Sequence, residues 1–291
     1  MLNPRRPHAL IGSNTLDTAI TLYALLEARV PALLLHPKLT AAERQAEIDA
    51  TARAAPALPA DAAAILYTSG TTGRARGAVL TRAALIASAQ ANAANLGWQD
   101  DDVWLAAMPV ARVGGLSILT RSLIARCAVA LAPAFNAALL PQWIDTQRVT
   151  ILSVVPTMLS LLLDAHPQWT PLPHLRVILL GGAAASPRLL ARAAERKLPI
   201  VITYGCTETC SQVVATPYEH RYDTARHGAG RVLAGRARCA CATATSRCAG
   251  RCGWRDISAK RRSIPRHGST PATSANSTPT TTCTCWRARA I

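Results

Sequence analysis

The sequence predicts an α/β protein with a parallel sheet flanked by helices. Three features predict it. Short apolar runs of strand length alternate with segments of helical spacing between about residues 60 and 203. Turns rich in glycine, or in glycine with hydroxyl residues, come directly after several of those runs. No apolar run reaches the roughly 18 residues of a membrane span. The longest candidate, 151–163, is broken by Pro156.

Residues 17–35 read as an amphipathic helix and then a short strand. Leu16, Ile20, Tyr23, Leu26 and Val30 fall at helical spacing. A second helix is expected from about Thr40, ending at a link bounded by Pro56 and Pro59. Ala62–Tyr67 is a buried strand that runs into a Gly/Thr/Ser loop, and a helix over about Thr81–Asn95 is expected directly after that loop. Strands are then expected at Val103–Met108, Ala128–Leu131, Thr150–Val154, Val177–Leu180 and Ile200–Thr203. The intervening helices are Gly115–Ile124, Pro141–Thr146, Thr157–Ala165 and Ser186–Arg196.

The formal charge of +16 over 291 residues would ordinarily suggest nucleic acid or an anionic membrane as partner. Its distribution argues otherwise. Residues 237–291 carry ten Lys or Arg and one Asp, so +9 of the charge lies in the last 55 residues. Six of the nine cysteines lie there too. That tail has no hydrophobic period and reads as irregular or disordered. The expected organisation is therefore an α/β part up to about residue 235, which the motifs below divide at residue 60/61, and an unstructured tail over 236–291. Without a secretory leader pattern at its start, the chain is expected to be cytoplasmic.

Four segments carry chemistry. In the loop Thr68, Ser69, Gly70, Thr71, Thr72, Gly73, Arg74, Ala75, Arg76 and Gly77, glycines allow close backbone approach to an anion. Backbone N–H groups and hydroxyls can donate to phosphate oxygens, and Arg74 and Arg76 add charge. It is not a Walker A loop. Tyr204-Gly205-Cys206-Thr207-Glu208 follows a strand and places an oxygen ligand, Glu208, where a hard cation shared with a nucleotide could sit. Gly181, Gly182 and Ala183 follow another strand and could lie flat against a base. The segment Met108–Leu116 contains Arg112 and Gly114. Arg112 either pairs with a substrate carboxylate or is a surface arginine.

Together these segments resemble the adenylate-forming superfamily of AMP-forming acyl-CoA ligases over about Asp17–Gly235. The loop is similar to the family's YTSGTTGxPKG signature, with Ala75 and Arg76 in place of its proline and lysine. The resemblance implies an AMP-binding domain, its N-terminal part over 1–60 incomplete and its core over 61–235, that takes ATP, Mg²⁺, a carboxylic acid and CoA. It implies that Thr207 touches phosphate, that Glu208 holds Mg²⁺, that Tyr204 and Gly205 lie by the nucleotide, and that Arg112 and Gly114 border the acyl site. Strings such as Ser153–Leu159 and Thr207–Gln212 are most similar to the branch acting on o-succinylbenzoate, in menaquinone biosynthesis. The alternatives are a fatty- or aryl-acid ligase, or a basic nucleic-acid-binding protein whose tail carries the function.

The family's T-G-D motif, hinge and C-terminal lysine do not occur in residues 236–291. With free choice of synonymous codons, a shifted frame over Gly268–Ile291 can yield a string containing T-G-D, so a single frameshift near 235–237 is expected. A zinc site on Cys239, Cys241, Cys248 and Cys252 lacks the paired C-x₂-C spacing. The expected outcome for the chain as it stands is weak ATP binding and no thioester formation. A pyrophosphate-release assay with o-succinylbenzoate, ATP and CoA checks this, and clear turnover contradicts it.

Overall fold

The computed structural model describes residues 6–68, 76–224 and 230–235. The expected tail over 236–291, and with it the frameshift reading, lies outside the described residues. Two sheets account for the strands. The first has the order β1 (His8–Ile11), β2 (Ala32–Leu35), β3 (Ala62–Thr68) and β4 (Arg76–Thr81). Its first three strands are parallel, and β4 runs antiparallel to β3. Helices α1 (Leu16–Glu27) and α2 (Ala41–Ala54) make the crossovers, and α3 (Arg82–Leu96) follows β4 directly.

The second sheet contains β5 (Val103–Ala106), β6 (Ala128–Leu131), β7 (Ile151–Val154), β8 (Val177–Leu180), β9 (Ile200–Cys206), β10 (Ser211–Ala215) and β11 (Arg231–Val232). Their spatial order is β11-β10-β9-β8-β7-β5-β6. Strands β5 to β9 are parallel, and β10 and β11 complete one edge in antiparallel sense. Helices α4 (Val113–Ala125), α5 (Leu140–Thr146), α6 (Pro156–Ala165) and α7 (Pro187–Glu195) connect the parallel strands. Every residue of β7 and β8 is buried, which explains why both read as unbroken apolar runs. The period-2 alternation still divides them. Leu105, Leu152, Ile178 and Ile200 enter one core cluster, while Trp104, Ile151, Val177 and Val201 enter another. Both faces of the sheet are thus packed. The two sheets are joined by hydrogen bonds from Asn14 Nδ2 to the Ala106 carbonyl (3.0 Å) and from the Ala111 N–H to the Gly12 carbonyl (3.3 Å).

The α/β class and the strands and helices expected from residue 103 to residue 203 are present. Two expectations are corrected. The phosphate-type loop does not lead into a helix. It connects β3 to β4 as a hairpin, because Ala78, Val79 and Leu80 are buried and pair with β3 before Thr81 caps α3. The apolar face expected for α1 holds at Tyr23, Leu26 and Val30, which enter the core, and fails at its start. Leu16 and Ile20 are 66% and 57% exposed, and the buried positions are Thr18, Ala19, Leu22, Leu25 and Leu26. With apolar residues on nearly every side of α1, spacing alone could not select the stripe that packs.

One buried ion pair organises the second sheet. Asp102, just before β5, takes Nε and Nη2 of Arg176 at 2.7 and 2.5 Å. It also accepts from Thr150 Oγ1 at 2.7 Å and from the Gln99 N–H at 2.9 Å. Arg176 also reaches the Leu96 and Gly97 carbonyls at the end of α3. Burial pushes the Asp102 carboxyl up, but the bonds from Arg176, Thr150 and Gln99 outweigh it and hold the group below the usual carboxylate range. A depressed folded-state pKa means stability that is present above the unfolded value of about 3.9 and lost as pH falls through the folded one. Asp102→Asn is expected to cost on the order of 3–5 kcal/mol at neutral pH, because it strands a buried guanidinium. In urea titrations, the gap between parent and variant should narrow below about pH 4.

Candidate functional site

A cavity of about 340 Å³ opens at the C-terminal ends of the parallel strands. Met108 and Pro109 reach it from the end of β5, Ser153 to Val155 from β7, Leu179 to Gly182 from β8, and Thr203, Gly205 and Thr207 from β9. This is the edge at which open α/β sheets bind ligands, since helix N-termini and strand-end loops converge there. Two helices begin at the cavity without a side-chain cap. Arg112 is the N-cap residue of α4 and Val155 that of α6, and both residues line the space. First-turn N–H groups have no partners within their own helix, so an uncapped start presents donors and the positive end of the helix dipole.

The lining is mixed in a directed way. Met108, Val113, Val154, Val155, Met158 and Leu179 supply apolar surface. The cations among the described lining residues are Arg112 and Arg121. Arg112 is exposed at the mouth, and its charge reaches His36 and Glu47. Burial, then the Arg112 charge, lowers the His36 pKa. Burial raises the Glu47 pKa, and Arg112 opposes that rise. Arg121 is 2% exposed and is held over the face of Trp104 at 5.9 Å.

Gly205, Thr207, Ser211 and Gln212 form another wall. β9 ends at Cys206, and the chain turns back into β10 through Thr207–Thr209. Thr209 Oγ1 ties this turn: its single proton is shared between the carbonyls of Cys206 (3.0 Å) and Ser211 (2.9 Å), while the Cys206 N–H donates to it at 3.0 Å. Gly205 is obligatory by contact: a Cβ there would lie 1.9 Å from the Ser211 carbonyl oxygen. Gly182 sits at φ +81°, a conformation that residues with a Cβ rarely adopt. Burial pushes the Cys206 thiol up, which keeps it protonated and a poor nucleophile.

The sequence-derived candidates fall into three groups. Arg112, Gly114, Gly181, Gly182, Gly205 and Thr207 share the cavity wall. Ala183, Tyr204 and Glu208 adjoin it on the same turns without lining it, and Glu208 is exposed. Ser69, Gly70, Thr71, Thr72 and Gly73 lie outside the described residues. Their flanks are described: Thr68 pairs with Arg76 across the hairpin, and β4 packs against the Thr207–Thr209 turn. Among the described residues no group of three or more His, Cys, Asp or Glu side chains could hold a metal ion on its own. No helix among them is long and apolar enough to cross a membrane.

Sequence reasoning did not single out Ser117, Arg121, Thr203 or Ser211 as site residues. Arg121 carried a signal, as the one charge inside the apolar helix Val113–Ala125. Thr203 and Ser211 carried little, because Thr203 reaches the site beside Gly181 at the end of β8 and Ser211 through the pairing of β9 with β10.

Comparison with known proteins identifies the family. A 2-succinylbenzoate–CoA ligase of Bacillus cereus (strain ZK / E33L) is 44% identical over 153 residues, 53% of this chain and 32% of that protein. A ligase of the same name from Bacillus cytotoxicus is 44% identical over 154 residues, with the same shares. The matched stretch therefore spans about a third of the length of these curated relatives. Among solved structures, o-succinylbenzoate CoA synthetase from Bacillus subtilis in complex with ATP and magnesium ion superposes with a TM-score of 0.68 at 30% identity. That superposition covers 79% of this chain and 55% of the other. The same enzyme with the acyl-adenylate intermediate gives 0.70 at 29%, over 79% and 54%. Residues 42–240, more than half of the sequence, match the AMP-binding enzyme family, and the chain belongs to that family.

Proposed function

We propose that this chain carries the acid- and nucleotide-facing part of an AMP-forming acid–CoA ligase whose acid is o-succinylbenzoate. The observation that supports this best is a single cavity at the strand ends lined by residues of three separated motifs, Arg112–Gly114, Gly181–Gly182 and Gly205–Thr207. Such a ligase joins a carboxylate to the α-phosphate of ATP, releasing pyrophosphate, and then transfers the acyl group to the thiol of CoA, releasing AMP.

Residue chemistry assigns the halves of the site. Gly181 and Gly182 offer flat backbone to the base, and Tyr204 stands beside them at the next strand end. Thr207 offers a hydroxyl toward phosphate. β4, which begins at Arg76, packs against the same turn, so the cationic charge of Arg76 meets negative charge developing on phosphate. Arg112 and the uncapped start of α4 face a carboxylate of the acid, while Val113, Val154 and Met158 meet its ring. A single exposed carboxylate, Glu208, suits Mg²⁺, which takes one or two protein carboxylates and fills its shell with nucleotide phosphates and water. Magnesium would supply charge neutralisation on the phosphates.

Calorimetric titration of the full chain tests this reading. ATP is expected to bind in the presence of Mg²⁺ and far more weakly without it. Glu208→Gln should remove most of that Mg²⁺ dependence. Arg112→Met should weaken o-succinylbenzoate binding about tenfold or more while leaving ATP affinity within a factor of about two, as loss of one charge-assisted bond predicts. Equal losses for acid and nucleotide would contradict the assignment of Arg112 to the acid.

A further inference from the structure

Arg121 is a cation inside the apolar helix α4, and its position connects two parts of the site. The residue lines the cavity, and its guanidinium donates to Ser88 Oγ on α3 at 3.1 Å. Ser88 Oγ donates in turn to the Cys210 carbonyl at 2.7 Å, across 122 residues of sequence. A hydroxyl that accepts from a cation is a stronger donor, so the two bonds reinforce each other in this buried setting. Trp104 holds the guanidinium from the sheet side, and its indole N–H is fixed on Ser153 Oγ at 3.0 Å.

The far end of this chain of bonds is a strained turn. Cys210 and Ser211 have φ of 55° and 75°, left-handed values that are unfavourable for residues with a Cβ. Consecutive residues of this kind persist where surrounding groups over-determine them. The turn they close carries Thr207 and Glu208. Thr209 holds it from within, and Ser88 holds it from α3. Ser88 begins a row on α3: Asn92 Nδ2 donates to Gln212 Oε1 at 2.9 Å, and Asn95 Nδ2 donates to the Thr216 carbonyl at 3.1 Å. One helix thus holds β10 within it at Gln212 and just beyond its ends at Cys210 and Thr216, and Arg121 braces the Cys210 end of that row.

We infer that Arg121 is a positioning residue which, through the Ser88 hydroxyl, holds the Cys210 carbonyl and so sets the Thr207–Glu208 turn against the cavity. The inference rests on the ligase reading for the role of the turn, but its geometry can be tested without any ligand. Cys210 is 4% exposed and reports opening of the turn, whereas the half-buried Cys127 serves as an internal reference. Iodoacetamide labelling of the full chain, read by peptide mass spectrometry, is expected to rise about tenfold or more at Cys210 in Arg121→Met and in Ser88→Ala, with Cys127 unchanged. Because the two groups act in series, the double variant should label no faster than either single one. Unchanged Cys210 labelling in the single variants, a parallel rise at Cys127, or multiplying effects in the double variant would each overturn the relay. Titration of the same variants with ATP and Mg²⁺ should show weaker nucleotide binding. A parent chain that binds no ATP would count against the ligase reading alone, and the labelling would still decide the relay.

Discussion

The contact between Asp102 and Arg176 determines where everything else in the second sheet can sit. Asp102 precedes β5, Thr150 precedes β7 and Arg176 precedes β8, so one carboxylate ties the starts of three parallel strands. Those strands are four residues long, about 13 Å at the usual rise. Over so short a span, fixing one end fixes the other. The cavity at the C-terminal edge therefore inherits its geometry from a polar cluster at the opposite edge. Arg176 also binds the last carbonyls of α3, so the helix that follows β10 is anchored to the same point.

A buried ion pair is a weak source of stability, since desolvation of both charges offsets most of their attraction. What this pair offers is register. Apolar side chains from β5, β7 and β8 could interdigitate in more than one alignment. A guanidinium that must meet two carboxylate oxygens and two carbonyls can be satisfied in one. Such an arrangement excludes shifted pairings of strands whose residues are almost all Val, Ile, Leu or Ala. Precision at the cavity is thus obtained from hydrogen-bond geometry rather than from the hydrophobic effect, which is non-directional.

Much of this was legible in the sequence, and the parts that were not share a cause. Runs such as Val177–Leu180 and turns such as Gly181–Gly182 announce strand ends because burial and tight turning restrict composition locally. The hairpin strand β4 has no local signature, since the three residues Ala78–Leu80 between the glycine-rich loop and the Thr81 cap are too few to show a period. The start of the α1 stripe was misread because Leu16 and Ile20 match the buried leucines in character and differ from them only in direction. Asp102, Arg176, Ser88 and Arg121 gave little warning of their importance. Their partners lie 74 and 33 residues away in sequence, and no local pattern encodes that separation.

The same distinction separates the two kinds of residue at the site. Gly181, Gly182, Gly205 and Thr207 act through backbone shape or a single short side chain, so their surroundings in sequence reveal them. The residues that hold those turns in place act at a distance. A turn with left-handed φ at both Cys210 and Ser211 cannot be rigid by its own preferences. It acquires rigidity from α3, which is itself fixed at one end by the Thr81 cap and at the other by Arg176. Since α3 starts where β4 ends, and β4 itself contacts the Thr207–Thr209 turn, that turn is held by a strand and by the helix that follows it, and not by its own residues.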